Sequence, residues 1–248
     1  MQASALFGAG WEHESVEVLW QEAGRAFCRL GRDGPAGETH AFIPILSGSQ
    51  HPTLQSLTRL TREYELKDSL AADWALRPVE LVREPGRTML VVQYVGGEPL
   101  DRLVGEPMEI ERFLRLAVAL SAAIGGLHGR GLIHRDINPR NVIVDSAAGQ
   151  VWLTGFGIAS RLPRERQAPE PPEIIAGTLA YMAPEQTGRM NRSVDARSDL
   201  YALGVTLYQL VTGGLPFTAT DPIELVHCHI AGQAVPPAEQ TPGVAAAV

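Results

Sequence analysis

The sequence predicts an α+β fold in two lobes, small and strand-rich first, larger and helical second. Three observations predict it. Apolar residues alternate with polar ones early in the chain, they recur at helical spacing from Phe113 onward, and Gly96-Gly97-Glu98-Pro99 interrupts the pattern between the two regimes.

Val16, Val18 and Trp20 alternate with polar neighbours, Gly24 interrupts, and Ala26, Cys28 and Leu30 alternate again, which reads as a hairpin. Residues 31–37 form a turn-rich loop. Residues 41–46 read as a third strand. Pro44 has no N–H to give to a ladder, so it confines that stretch to an edge or an end. From Leu54 the period changes: Leu54, Leu57, Leu60 and Tyr64 fall at helical spacing and predict a helix over 53–70, started by Thr53 or the Ser49 region. Residues 76–82 and 88–92 read as strands joined by Glu84-Pro85-Gly86.

Beyond the glycine break, Phe113, Leu116, Leu120, Ile124 and Leu127 share one face of a buried helix. Short strands are predicted at 142–144 and 151–153, before a Pro- and Glu-rich loop over 162–172. A helix over 199–211 opens on Asp199, carries Leu200, Leu203, Leu207 and Leu210 as a core stripe, and stops at Gly213-Gly214. The chain divides into a tail over 1–11, a first lobe over 12–95 and a second over 96–248.

Composition narrows the function. With 248 residues, 45% of them hydrophobic and 20% charged, the chain suits one globular unit and excludes disordered and collagen-like classes. The charge-free run at 116–128 is too short and too rich in Ala and Gly to cross about 30 Å of hydrocarbon, so no membrane insertion is expected. Residues 1–10 have no basic residue ahead of their apolar ones and do not look like a secretory signal; a cytoplasmic location is expected. Cys28 and Cys228 are expected as free thiols. A net charge of −7 argues against nucleic acid as a partner. Of the 21 basic side chains only Lys67 is a lysine, so chemistry that needs an ammonium has one candidate.

His134-Arg135-Asp136-Ile137-Asn138-Pro139-Arg140-Asn141 carries a mechanism in its spacing: an Asp can orient a substrate hydroxyl while an Asn five residues later holds a divalent metal on ATP phosphates. His134 itself is read as a packed loop residue. Gly155-Phe156-Gly157, residues 177–185 ending in Ala183-Pro184-Glu185, and Asp199 follow in order. His227-Cys228-His229 has the residue types of a metal site, but neighbours two apart on a helix do not share a face, and none is expected.

This ordered set resembles the eukaryotic-type protein kinase family from about residue 15 to the end. Asp136-Ile137-Asn138-Pro139, the run from Pro184 through Gln186, Gly188 and Asn191 to Ser193, and Arg197-Ser198-Asp199-Leu200-Tyr201 are similar to the kinase-like module at the front of bacterial hybrid sensor histidine kinases. That resemblance implies a two-lobed kinase fold cut short at its C-terminal end, with other domains of a longer polypeptide, or a protein partner, around it. It also implies roles: Asp136 as the catalytic Asp, Asn141 as metal ligand, Thr178 as the threonine of Ser/Thr-directed members, and Glu63 as the helix carboxylate that pairs with a strand lysine. Gln93 to Val95 would receive adenine through the backbone, with Val92 guarding the deeper pocket.

The departures from the family are as informative. Pro44 stands where the family has its phosphate-gripping lysine, 19 residues before Glu63, and Lys67 lies one turn beyond Glu63 on the same predicted helix, poorly placed to substitute. Gly155 replaces the metal-chelating Asp. Residues 21–28 of the phosphate loop hold only Gly24, and Phe42 falls where a small residue roofs adenine. Residues 161–176 contain no Ser, Thr or Tyr to phosphorylate; Glu165, Glu170 or Glu173 is the candidate acidic partner for Arg135. The resemblance with its departures implies a catalytically impaired pseudokinase acting as a regulatory or docking module, with no cofactor. The alternative is an active Ser/Thr kinase using ATP and Mg on protein hydroxyl groups.

Overall fold

The computed structural model describes residues 15–22, 25–31, 40–44, 54–84, 87–93, 95–161, 177–190, 192–241 and 243–244, and in the first three strands only the Cys28 side chain. The expectations for residues 1–11, Gly24, the Phe42 side chain and the 162–172 loop lie outside the described residues.

Alternation in the first region produces a five-stranded antiparallel sheet of β1 (Ser15–Glu22), β2 (Arg25–Gly31), β3 (His40–Pro44), β4 (Pro78–Glu84) and β5 (Arg87–Gln93) in the order β1-β2-β3-β5-β4. The predicted hairpin is β1 and β2, with Val16 opposite Leu30 and a bulge between Val18 and Trp20. β3 is interior to the sheet, so Pro44 is tolerated only because it is the last residue, opposite Met89. Helix α1 (Leu54–Glu65) lies against this sheet and buries Leu60 with Leu76, Leu90, Val92, Ile143 and Trp152.

The helix predicted over 53–70 ends at Glu65. Lys67–Ser69 tightens into a 3₁₀ turn, with the Ser69 N–H on the Leu66 carbonyl at 2.8 Å, and this turn carries Leu66 and Leu70 into the other core beside Trp74. β4 starts two residues later than predicted for a related reason. The Leu76 N–H is committed to the Leu153 carbonyl at 2.9 Å and the Leu153 N–H to the Trp74 carbonyl at 2.8 Å, which ties this connection to the second lobe.

The second lobe begins with β6 (Glu98–Pro99), which pairs with β8 (Val142–Asp145), itself paired with β9 (Gln150–Leu153). Gly97 makes the approach possible. It sits at φ +87°, and a Cβ there would meet the Val144 carbonyl oxygen at 2.6 Å. Helix α2 (Ile110–Gly129) is capped by Glu109, whose carboxylate accepts the N–H groups of Glu111 and Arg112 at 2.8 and 3.0 Å. Its buried stripe is the predicted one, Phe113, Leu116, Leu120, Ile124 and Leu127, and each large side chain contributes about 1.5–3 kcal/mol. Two-residue strands β7 (Leu132–Ile133) and β10 (Ser160–Arg161) pair with each other; at that length no periodicity announces them.

Helix α3 (Ala196–Thr212) is capped by Asp195, which accepts the Arg197 N–H at 2.8 Å, and Gly213 ends it in the left-handed region. Two expectations are corrected here. Asp199 does not open the helix but lies buried in its first turn, and Leu200 is 52% exposed because the core stripe runs instead through Ala202, Leu203, Val205 and Leu210. Helices α4 (Pro222–Ala231) and α5 (Pro237–Gln240) follow. His229 of α4 is buried, with Nδ1 at 2.7 Å from the Tyr201 hydroxyl and its ring edge-on to Phe217. Among the described residues no helix is long and apolar enough to cross a membrane, and no cluster of His, Cys, Asp and Glu could hold a metal ion.

Two outcomes follow. Gly96 at φ +89° has open space where a Cβ would go, so Gly96→Ala carries only conformational strain, about 1–2 kcal/mol. Gly97→Ala adds overpacking of about 1–3 kcal/mol, and urea denaturation should separate the two variants in that order. Burial lowers the His229 pKa below its usual 6.5. The unfolded chain then takes up a proton that the fold refuses, so this contribution to stability is whole above pH 6.5 and fades as pH falls toward the folded value. His229→Gln should flatten that part of the difference in stability measured from pH 7.5 to 5.

Candidate functional site

The loop after β7 is held by groups far from it in sequence. The buried carboxylate of Asp199 accepts the His134 N–H through Oδ2 and the Arg135 N–H through Oδ1, both at 2.8 Å, and His128 Nε2 lies 2.9 Å from Oδ2. Arg135 sits at φ +70°, the one left-handed non-glycine among the described residues, so the strain falls on the residue that Asp199 grips. Gln186 Nε2 donates to the Arg135 carbonyl at 2.8 Å. The His134 ring is fully buried, with Nε2 at 2.9 Å from the Thr154 carbonyl and Phe156 4.9 Å away, centroid to centroid.

This frame brings Asp136, Asn141 and Thr178 together. Asp136 Oδ1 accepts the N–H and the hydroxyl of Thr178, each at 2.8 Å, and Asn138 Nδ2 at 3.1 Å. Asn141 Nδ2 donates to the Asp136 carbonyl at 2.8 Å and to Oδ2 at 3.1 Å. Asn138 also caps the turn Pro139–Asn141 by accepting the Arg140 N–H at 3.0 Å. Asp136, Asn138, Asn141 and Thr178 are thus tied to one another, while the buried Arg135 Nε of the same loop has no hydrogen-bond partner.

Opposite this cluster stands Gly155, at φ +81°. A Cβ there would run into the Asn141 carboxamide, inside contact with Oδ1 and 2.7 Å from Cγ, so Asn141 already fills the space a side chain at 155 would enter. Glu63 reaches across from α1, and its Oε1 accepts the Gly155 N–H at 3.0 Å. Lys67 is elsewhere. It belongs to the 3₁₀ turn rather than to the helix, donates to the Tyr64 hydroxyl at 3.1 Å and stacks 4.5 Å over that ring, which raises its pKa. Pro44 closes β3 with no donor to offer. Val92 is buried in β5; Gln93 ends that strand with its N–H on the Arg77 carbonyl at 2.8 Å, and Val95 is half-buried beyond it. Burial, with Arg62 nearby, lowers the Arg135 pKa.

Magnesium at a phosphoryl-transfer centre takes near-octahedral oxygen ligands, with one or two protein carboxylates beside the substrate phosphates. Gly155 offers none, and the Asn141 carboxamide is turned to its space and bonded to Asp136. The residues present do not fit that metal. Reading the sequence missed Asn138, Gln186 and the anchoring role of Asp199. The Asn138-Pro139 pair, a capping residue ahead of a helix-starting proline, was the available signal for the first; nothing local marks the other two.

A strand-rich lobe with a carboxylate-bearing helix, set over a helical lobe with an anchored Asp and Asn loop, defines a phosphoryl-transfer fold. The chain belongs to the protein kinase domain family, which matches residues 41–242. It is similar to the serine/threonine-protein kinase Pkn1 of Myxococcus xanthus, 36% identical over 167 residues that cover 66% of this chain and 24% of that protein. It is similar also to serine/threonine-protein kinase PknB of Mycobacterium tuberculosis, 34% identical over 159 residues, 63% of this chain and 25% of that one. Serine/threonine-protein kinase PksC of Streptomyces coelicolor is 36% identical over 154 residues, 60% and 27%. The match spans about a quarter of the length of these relatives.

Asp199→Ala would strand two backbone N–H groups in the interior, at about 1–3 kcal/mol each. Chemical denaturation should show a loss of that size, larger than for Asp136→Ala at the partly exposed end of the same loop.

Proposed function

We propose that this chain is a pseudokinase: a kinase-fold module with impaired phosphoryl transfer, serving as a regulatory or docking domain in a longer bacterial signalling polypeptide of the hybrid sensor histidine kinase kind. In this reading residues 12–95 and 96–248 are its two lobes and the cytoplasm its location. The observation that carries it is Gly155, where the metal carboxylate is missing and Asn141 occupies its space. Pro44 in the lysine position and Lys67 engaged on Tyr64 support the same reading. Electrostatic preorganisation supplies most of the rate in phosphoryl transfer, and removal of one such donor costs roughly 10²- to 10³-fold in enzymes generally.

A second reading, an active Ser/Thr kinase that uses ATP and Mg, is favoured by one contact: the Thr178 hydroxyl on Asp136 at 2.8 Å, which keeps the loop in working order, with an Oδ2 lone pair left over. Three of its relatives carry serine/threonine-protein kinase as their name.

Thermal denaturation with and without ATP and Mg²⁺ separates the two. A ligand that prefers the folded state raises its midpoint, so the impaired module should show no metal-dependent shift at millimolar nucleotide. A Mg²⁺-dependent shift, with phosphate transfer abolished by Asp136→Asn, would instead establish the active enzyme. Gly155→Asp returns the missing carboxylate on paper. It should lower the melting temperature, because an L residue at φ +81° is strained and the Asn141 carboxamide must turn aside, and a Mg²⁺-dependent shift gained by this variant and absent from the parent chain would trace the impairment to position 155.

A further inference from the structure

Of the large apolar side chains exposed among the described residues, three fall on one face of one helix. Ile110, Leu114 and Val118 stand four residues apart on α2, opposite its buried stripe, with Leu114 50% and Val118 71% exposed. The same face continues toward the end of the helix through Ser121, Gly125 and Gly129, all exposed. Its first half is therefore large and its second half small. The Ser121 hydroxyl donates to the Ala117 carbonyl at 2.6 Å and adds no free donor to this surface.

Two adjacent glycines separate what the fold requires from what it does not. A Cβ at Gly126 would meet the Trp74 ring at 2.6 Å, so the core itself keeps that residue small. Gly125 and Gly129 have open space where a Cβ would go. Glycine inside a helix weakens it relative to alanine, and no contact among the described residues accounts for it at Gly125. The two ends of the helix also differ in charge. Glu109 and Glu111 are exposed at its start and Arg130 just past its end, and Glu111 uses only Oε1 on Arg115, at 2.7 Å.

We infer that α2 is the interface on which two copies of this chain associate, antiparallel about a two-fold axis at the middle of the helix. That pairing sets Ile110, Leu114 and Val118 of one copy against Gly129, Gly125 and Ser121 of the other, so each large side chain enters a gap left by a small one. It brings Arg130 of each copy to the acidic start of the other and lays opposed helix dipoles side by side. Parallel pairing would press Leu114 on Leu114, leave Gly125 facing Gly125 and bring like charges together. The face is complementary to itself in one orientation, which makes a second copy its occupant. The inference holds whether or not the cleft turns over a nucleotide.

The test is sedimentation velocity on the full chain from about 1 to 200 µM, which should show a reversible equilibrium of monomer and dimer, with a melting temperature that rises with concentration. Gly125→Leu fills the gap without meeting an atom of its own chain, so it should weaken association roughly tenfold or more while the dilute monomer melts no lower than the parent. Val118→Glu, beside the axis, should weaken it as much at an unchanged melting temperature. Glu111→Arg and Arg130→Glu should each weaken association about two- to fivefold, and the double variant should recover much of that loss. Such a rescue requires contact between opposite ends of two helices. A parent chain that stays monomeric, a dimer indifferent to both Gly125→Leu and Val118→Glu, or a lower melting temperature in both dilute variants overturns the inference. So does a photocrosslinker at Leu114 that attaches within its own chain and never to a second copy.

Discussion

A carboxylate sealed in the first turn of α3 carries the architecture of the cleft. Asp199 spends both oxygens on consecutive N–H groups of the loop after β7, and that loop takes a left-handed turn at Arg135 which an arginine would not adopt unaided. Satisfaction of the buried carboxylate and tolerance of the strained backbone are one event. Because the contact joins residues 64 and 65 apart in sequence, it forms only when α3 has packed on the loop. The Asp136 cluster inherits its position from this anchor, and Gln186 and Thr154 hold the neighbouring atoms against drift.

What the anchored loop presents is a set of side chains that hold one another in place. Asp136, Asn138, Asn141 and Thr178 satisfy one another, and Glu63 closes the far side on the Gly155 amide. The kinase scaffold is thus held both within the loop and between the lobes. Its two lobes meet through the Trp74, Leu76 and Leu153 bonds and through Glu63, contacts that need no third component to form.

Much of this was legible in the residues. Alternation located the hairpin and both later strands, and the stripe from Phe113 to Leu127 located α2, because burial of one face imposes a period on sequence. The family resemblance singled out Asp136, Asn141 and Thr178, which the fold places together, and Gly155, which lies beside them. Three features were not legible. The early end of α1 depends on where Leu66 and Leu70 find their core, Leu200 faces outward because α3 meets the lobe on a different stripe, and the purpose of Asp199 lies in a partner far along the chain. Each is decided by tertiary packing, for which local spacing carries no record.

The carboxamide of Asn141 lying beside Gly155 sets how a side chain at that position would be received. Because Gly155 carries none, Asn141 Oδ1 reaches into the space while its Nδ2 stays on the Asp136 carbonyl and Oδ2. Every atom in the way belongs to the tip of one flexible side chain, so a turn of that carboxamide, with no shift of backbone, is what would admit a larger residue there.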